Sequence, residues 1–427
     1  MESGEEDRNM LIKFLGGVRE VGRSAIYLAG SEKRLLLDAG VMLSGRQVKY
    51  PMHIPPREVD GIIITHAHLD HVGAAPIFFI SGGRESFLTS LTAPLAKLIL
   101  LDFLRVSKET VPFEVLEVDR FVSKARKLGY QEEFARNGFK LVFLSAGHTP
   151  GGGQVLLELD GKRVLYTGDI NTIETTLLKG AYTDYPPVDI AIVESTYANK
   201  NHPPREEVEA RFVRKLSETV EKGGIALVPA FGLGRSQEVI TILAKHGFPH
   251  NIYYDGMART VTEILFDFPE WLSNPDLLEK AAKQVTWITT QRQREEALKR
   301  PGVIVTPAGM LQGGPVNFYL KEVGKSGRNL IAFVSYQVEG TPGRLLLEKK
   351  IVTVDGKLAK VKAEVKHFEL SSHSGKDQLE ELIGRIKAEK TFIVHGDSDN
   401  CEKLAAYSRN RLGLDAVAPE LGESYTI

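Results

Sequence analysis

Thr65-His66-Ala67-His68-Leu69-Asp70-His71 follows the apolar run Gly61-Ile62-Ile63-Ile64. The β-branched run predicts a buried strand, so the histidines and the aspartate fall at its end. A helix would scatter them, because positions two apart do not share a face. A strand end or tight loop instead turns His66 and His68 to one side and Asp70 and His71 to the other. That pairing suits two adjacent metal ions, since imidazole and carboxylate are both zinc ligands. The plain alternative is a polar turn with surface histidines. Ligand-type residues this closely spaced, with more of the same types further along, weigh against it.

Composition narrows the field. A chain of 427 residues has room for two sizeable cores, so two domains are expected. Hydrophobic content of 42% and charged content of 26% are those of a globular protein. The net charge of −1 gives no global pull toward a polyanion, so any nucleic-acid site must be a local patch. The single cysteine, Cys401, excludes an internal disulfide and fits a reducing cytoplasm. The start, Met1-Glu2-Ser3-Gly4-Glu5-Glu6-Asp7, is acidic, unlike a secretory signal. No apolar run approaches the ~20 residues that span a bilayer. A soluble cytoplasmic protein without a membrane partner is expected.

Working outward, strands are predicted at Met10–Leu15, Ser24–Leu28 and Arg34–Leu37, the last ending at Asp38. Thr92–Val106 has helical spacing, and the mixed, charged segment 110–138 reads as helical. A strand returns at Lys140–Leu144 before His148. Gln154–Leu159 and Arg163–Tyr166 flank Asp160-Gly161, a hairpin signal. Ile190–Val193 is a further strand. Consecutive strands with few helices between them predict layered sheets with helices outside. After residue 199 the texture changes to strand–loop–helix units, which predict a parallel, Rossmann-like sheet and a second domain. From about 367 the ligand types return, in Ser371-Ser372-His373-Ser374-Gly375 and Val394-His395-Gly396-Asp397. One domain is thus expected inside another, with segments 1–198, 199–366 and 367–427 and hinges near 199 and 367.

The run from His66 to His71 resembles the HxHxDH signature of the metallo-β-lactamase superfamily. The resemblance continues in order through Asp38, His148 and Asp169, the last in Tyr166-Thr167-Gly168-Asp169. Glu194 in Val193-Glu194-Ser195-Thr196-Tyr197, His373 and His395 match motifs A, B and C of the β-CASP branch, the nucleic-acid-processing nucleases. The likeness covers nearly the whole chain. It is strongest to archaeal homologues of the cleavage and polyadenylation specificity factor nuclease, in the short form without an N-terminal KH extension, and ribonuclease J is a near relative. It implies an α/β chain, a metallo-β-lactamase αββα sandwich with an inserted Rossmann-like β-CASP domain.

The resemblance also implies a ligand set. One zinc would take His66, His68 and His148, the other Asp70, His71 and His395, and Asp169 would bridge the two Zn2+ ions. Two metals ~3.5–4 Å apart stabilise the attacking and leaving oxygens of an in-line displacement and acidify a water to a pKa of about 7. Asp38 would orient a histidine or the nucleophile, or else only end its strand. Asp38 and Asp70 are carried into the reaction with Glu194 and His373. His373 would be the general acid, kept protonated by Glu194; a helix-capping or core role is its alternative. His53, His202, His246, His250 and His367 match no motif and read as ordinary polar positions.

The Gly-rich loops carry their own argument. Gly232-Leu233-Gly234-Arg235-Ser236 opens a helix after a strand, so its N–H groups and helix dipole can hold a phosphate, with Arg235 adding a bidentate charge. Gly309, Gly313 and Arg344 belong to similar loops, and Ser335-Tyr336-Gln337 is a further candidate. Together they predict contacts to single-stranded RNA. The expected function is a zinc-dependent ribonuclease, endonuclease or 5′-to-3′ exonuclease, leaving 5′-phosphate and 3′-hydroxyl ends. A small-molecule hydrolase of the superfamily and a non-catalytic RNA-binding subunit are the competing readings. An RNA-processing or decay complex, and a homodimer through the apolar residues of Val417–Ile427, are expected partners.

Overall fold

Seven strands form each of two sheets that share one apolar core. The computed structural model describes residues 9–427 except 45–46, 83, 108–109, 137, 339 and 355–356, so the acidic start lies outside the described residues. In the first sheet Leu11–Gly16, Ala25–Ala29 and Arg34–Leu37 pair antiparallel, and Arg34–Leu37 then runs parallel to Gly61–Ile63, Glu85–Thr89 and Ala125–Leu128 in turn. In the second, Glu133–Arg136, Phe139–Ser145, Gly153–Leu159 and Lys162–Tyr166 are antiparallel neighbours. Ile190–Glu194, Lys390–Val394 and Asp415–Val417 continue that sheet in parallel. Alternation sends Ile12, Phe14, Ile26, Leu28, Leu141, Phe143, Leu157 and Phe392 into the shared core. The opposite face of the second sheet packs Leu165, Val193 and Ile393 against Leu379, Leu382 and Leu404 of the helices Lys376–Ile386 and Ser398–Leu412. Thr92–Val106 and Val115–Ser123 lie against the first sheet. The layering is αββα.

This topology gathers one set of strand ends. Asp38 follows Arg34–Leu37, His66 comes just after Gly61–Ile63, and Asp169 just after Lys162–Tyr166. Glu194 closes Ile190–Glu194, and His395 follows Lys390–Val394. His148 follows Phe139–Ser145, which points the same way as Lys162–Tyr166 because two antiparallel pairings separate them. Carboxyl ends of strands are where open α/β sheets place their ligands.

A second compact unit comprises Thr175–Lys179 and His202–Ser371; the first holds the residues up to Glu174 with Gly180–Asn201 and Ser372–Ile427. The second unit is built on a six-stranded sheet ordered Thr286–Ile288, Ile252–Asp255, Gly302–Thr306, Ile225–Pro229, Leu330–Phe333, Glu364–His367. Every pairing in it is parallel, and its four inner strands are continuous buried runs, as expected where helices cover both faces. The excursion Thr175–Lys179 has no counterpart in the sequence reading. Glu238, on the helix Arg235–Lys245, accepts hydrogen bonds from Thr175 Oγ1, Thr176 N, Thr176 Oγ1 and Leu177 N, and from Arg205 Nη2.

One expectation needs correction. Segment 110–138 is helical only at Val115–Ser123; Ala125–Leu128 and Glu133–Arg136 are edge strands whose exposed charged faces hide the alternation. The apolar residues near the C-terminus also pack within this chain. Ser424–Thr426 pairs with Leu11–Gly16, and Tyr425 sits 4.7 Å from Phe392 and 6.1 Å from Phe14, ring centre to ring centre.

Candidate metal centre

Asp169 is the pivot of the site. Its Oδ2 lies 3.7 Å from His66 Nε2 and 3.5 Å from His148 Nε2. Its Oδ1 lies 3.3 Å from His71 Nε2 and 3.1 Å from His395 Nδ1. One carboxylate oxygen thus faces each histidine group. His68 Nδ1 is 3.3 Å from His148 Nε2, and Asp70 Oδ2 is 3.6 Å from His395 Nε2. The ligand atoms of His66, His68, His148 and Asp169 fall within 4.8 Å of one another, as do those of Asp70, His71, Asp169 and His395. The residues named from the sequence therefore meet in two groups that share Asp169.

The donor set fits a pair of divalent ions. His66 Nε2, His71 Nε2, His395 Nε2 and Asp169 Oδ1 are buried and make no hydrogen bond, an arrangement that costs about 1–3 kcal/mol per group without a partner. The hydrogen bonds behind the rings fix which nitrogen faces inward. His148 Nδ1 donates to the Ser372 carbonyl at 2.9 Å, and His71 Nδ1 to Asp38 Oδ2 at 2.7 Å. Thr65 Oγ1 donates to Asp38 Oδ2 at 2.8 Å, so it is an acceptor toward His66 Nδ1, 3.1 Å away. In each case Nε2 is left facing the centre, the nitrogen that a metal takes once the ring is neutral.

Charge divides along the same line. Burial, followed by neighbouring imidazoles, holds His66 and His148 well below the usual imidazole range, and burial also lowers His68. Burial pulls His71 and His395 down too, but Asp169, together with Asp38 at His71 and with Asp70 at His395, outweighs it and raises them. Burial would raise Asp70 and Asp169, yet the facing histidines hold both below the carboxylate range.

Local backbone makes room for this crowding. Gly147 adopts φ +67°, and a Cβ there would sit 2.2 Å from the Asn171 carbonyl oxygen; at Gly40 it would meet the Asp70 carbonyl oxygen at 1.7 Å. Asp38 and His395 take left-handed conformations, with φ 57° and 48°. Such strain costs about 1–3 kcal/mol, and hydrogen bonds to a charged group, at about 1.5–3 kcal/mol each, outweigh it at Asp38. That carboxylate also accepts from Thr65 N at 2.8 Å and from the Tyr166 hydroxyl at 2.9 Å.

His373 lies beside the centre, its ring 4.5 Å from that of His148. Its Nδ1 donates to Glu194 Oε1 at 2.8 Å, and the fully buried Glu194 also accepts from Ile170 N and Thr196 N. Burial opposes its protonation, but Glu194 outweighs burial and raises the pKa to about 9. Asp169, Glu194 and His373 also approach one another closely enough to be read as a third ion site. The donors already on Glu194 favour an ion pair instead. His68, Asp70 and His373 are the less buried members and form the mouth of the site.

The first Gly-rich loop differs from expectation. Gly234 N donates to Gln237 Oε1, Arg235 N to the Leu233 carbonyl, and Ser236 N and Oγ both to the Phe231 carbonyl. These groups are taken up by a self-capped turn, and Ser236 is fully buried, so the expected N–H cradle for a phosphate is not formed by them. Gly232 packs toward Met257, and Gly309 lies against the backbone at Ala230 and Phe231. Gly313 has open space on its Cβ side, and Arg344 is half-exposed beside Glu348. Thr65, Tyr166, Thr196 and the Ser372 carbonyl went unnoticed in the sequence. Thr65 and Tyr166 had a readable signal, each being a polar residue at the end of an apolar strand next to a ligand motif.

Comparison with known proteins agrees with this geometry. Residues 18–201 match the metallo-beta-lactamase superfamily, 236–346 the Beta-Casp domain, and 358–419 the Zn-dependent metallo-hydrolase RNA specificity domain. RNase aCSPSF2 of Saccharolobus solfataricus is 40% identical over 98% of this chain and 86% of its own length. The chain belongs to the β-CASP branch of the metallo-β-lactamase superfamily. Among β-CASP relatives, Probable RNase MJ4 of Methanocaldococcus jannaschii is 36% identical over 98% of this chain and all of its own. Transcription termination factor FttA of the same organism is 34% identical over 96% of this chain and 70% of its own. A protein of unknown function from Enterococcus faecalis shares the fold, with a TM-score of 0.61 at 14% identity over 98% of this chain and 100% of its own. Among the described residues no helix is long and apolar enough to cross a membrane.

Proposed function

We propose that this β-CASP protein is a zinc-dependent ribonuclease that hydrolyses phosphodiester bonds in single-stranded RNA, leaving 5′-phosphate and 3′-hydroxyl ends. The observation that carries the reading is Asp169, which offers one oxygen to each of two histidine groups beside a protonated histidine. His66, His68 and His148 would hold one ion, Asp70, His71 and His395 the other, and Asp169 both. When bound, two divalent ions supply Lewis acidity, acidifying a water and neutralising charge on the phosphate. The remaining work belongs to the chain. Asp38 holds the His71 ring, Glu194 keeps the proton on His373, and His373 delivers it to the departing sugar oxygen. The small-molecule alternative leaves the six-stranded second unit and its loops without a purpose. Gly313 and Arg344 are the loop residues we propose to meet an RNA phosphate, Arg344 as a bidentate donor once released from Glu348.

Partners follow from the same reading. A cytoplasmic RNA-processing or decay complex suits a nuclease of this family. A homodimer is also proposed, because Ser424–Thr426 is the terminal strand of its sheet and its outer edge can accept a second copy.

The test uses one RNA labelled at its 5′ end, carrying either a monophosphate or a triphosphate, with zinc content measured on each preparation. The wild-type chain should cleave it, while Asp169→Ala should lose zinc and activity together. Mononucleotides favoured by the monophosphate would identify an exonuclease, and internal fragments indifferent to it an endonuclease. Two zincs per chain without cleavage of either RNA would overturn the ribonuclease reading.

A further inference from the structure

The two metal positions are backed unequally. His66 Nδ1 faces the Thr65 hydroxyl and His148 Nδ1 the Ser372 carbonyl, both neutral acceptors. His71 Nδ1 instead donates to the fully buried Asp38 carboxylate. Asp38 is itself fixed from three more directions, by Thr65 N, Thr65 Oγ1 and the hydroxyl of Tyr166, which is 1% exposed. The ligands repeat the asymmetry. Beyond the shared Asp169, one position has three imidazoles and the other has Asp70 with two imidazoles.

From this we propose that the centre loads in a fixed order, with the Asp70–His71–His395 position filling first and holding its ion more tightly, and that Tyr166 is a positioning residue that sets this preference through Asp38. The inference rests on the two-ion reading above. A carboxylate behind an imidazole makes the ring a stronger donor to the metal and locks its tautomer, and removing such a partner lowers metal affinity about 10–100-fold. Tyr166 never touches the ion. Its hydroxyl takes one lone pair of Asp38 Oδ2 and so fixes the carboxylate against the His71 ring. Without it, Asp38 is free to swing toward Thr65 alone, and the His71 ring loses its fixed pose. The His66–His68–His148 position is reached from Tyr166 only at one further remove, through Thr65, and should sense the change much less. The His148 acceptor is a backbone carbonyl, which no side-chain substitution removes, so the two positions are separable by mutation.

The experiment titrates zinc ions alone into the metal-free full-length chain, in competition with a chromophoric chelator. Wild type should bind two equivalents in two steps, the first about 100-fold tighter than the second. Tyr166→Phe keeps the ring and should weaken the first step about tenfold and the second much less. His66→Ala should erase the weak step and His395→Ala the tight one, which tests the order without disturbing Tyr166. Two equal steps, survival of only the weak step in His66→Ala, or equal weakening of both steps in Tyr166→Phe would each overturn the proposal. Fewer than two equivalents in the wild type would instead remove the two-ion reading beneath it, a failure seen in the count and not in the affinities.

Discussion

His373 is the residue whose chemistry depends most on one neighbour. As a general acid it works from its protonated form, which is filled below about 9, the value to which Glu194 raises it against burial. The alkaline limb of kcat therefore falls as pH climbs through that pKa. Glu194→Gln keeps the burial and removes the charge, so the limb should move to lower pH, toward or below 6.5. A limb that stays in place in Glu194→Gln would remove Glu194 from this role. His373→Ala should lower kcat about 10²–10⁴-fold with zinc content unchanged. The cluster from His66 to His71 announced its chemistry by spacing alone, whereas the roles of His373 and Glu194 rested on family likeness. Nothing in Ser371-Ser372-His373 says that Glu194 will meet His373, or that Ile170 N and Thr196 N will hold Glu194 in turn, because these groups arrive from other parts of the chain.

At the scale of elements, the strand-and-loop pattern was legible wherever one face is buried. Thr92–Val106 forms the helix its spacing predicts, and the hairpin signalled by Asp160-Gly161 forms, with Leu159 opposite Lys162. Edge strands such as Glu133–Arg136 carry charge on both sides of the pattern and do not declare themselves. The Glu238 clasp is equally hidden, since its donors come from Thr175–Leu177, far away in sequence. Burial would raise the Glu238 pKa, but Arg205 and Arg235 outweigh it and hold it below the carboxylate range. The unfolded chain therefore takes up this proton first as pH falls. The stabilisation is fully present above the ordinary carboxylate pKa and is lost as pH drops below it toward the depressed value. Glu238→Gln should lower the unfolding free energy of the second unit at neutral pH by about 3 kcal/mol, as for breaking one partner of a buried pair. The loss should shrink below pH 4. Urea melts at both pH values check this, and an equal loss at both would mean that the clasp acts through shape and not charge.

For the whole molecule, the sequence carried the two-fold architecture because each unit keeps its own periodicity: alternating strands in the sandwich, continuous buried strands in the parallel sheet. It missed the crossing at Thr175–Lys179, where contacts and not composition decide which unit owns the chain. Among the described residues every candidate ligand nevertheless lies in the first unit, from His66 to His395, and none in the second. Metal binding is therefore linked to the folding of one unit only. A ligand present at a thousand times its Kd stabilises the state that binds it by about 4 kcal/mol. For a unit of this size that corresponds to a shift of about 10 °C. Calorimetry of the intact chain should show two transitions, because units with separate cores need not unfold together. Chelation should lower one transition by about that amount and leave the other in place. Asp169→Ala should give the chelated pattern with zinc present, since it removes the carboxylate shared by both positions. A chelator that lowered both transitions equally would mean that the two units unfold as one, and one that lowered neither would separate the histidine cluster from metal altogether.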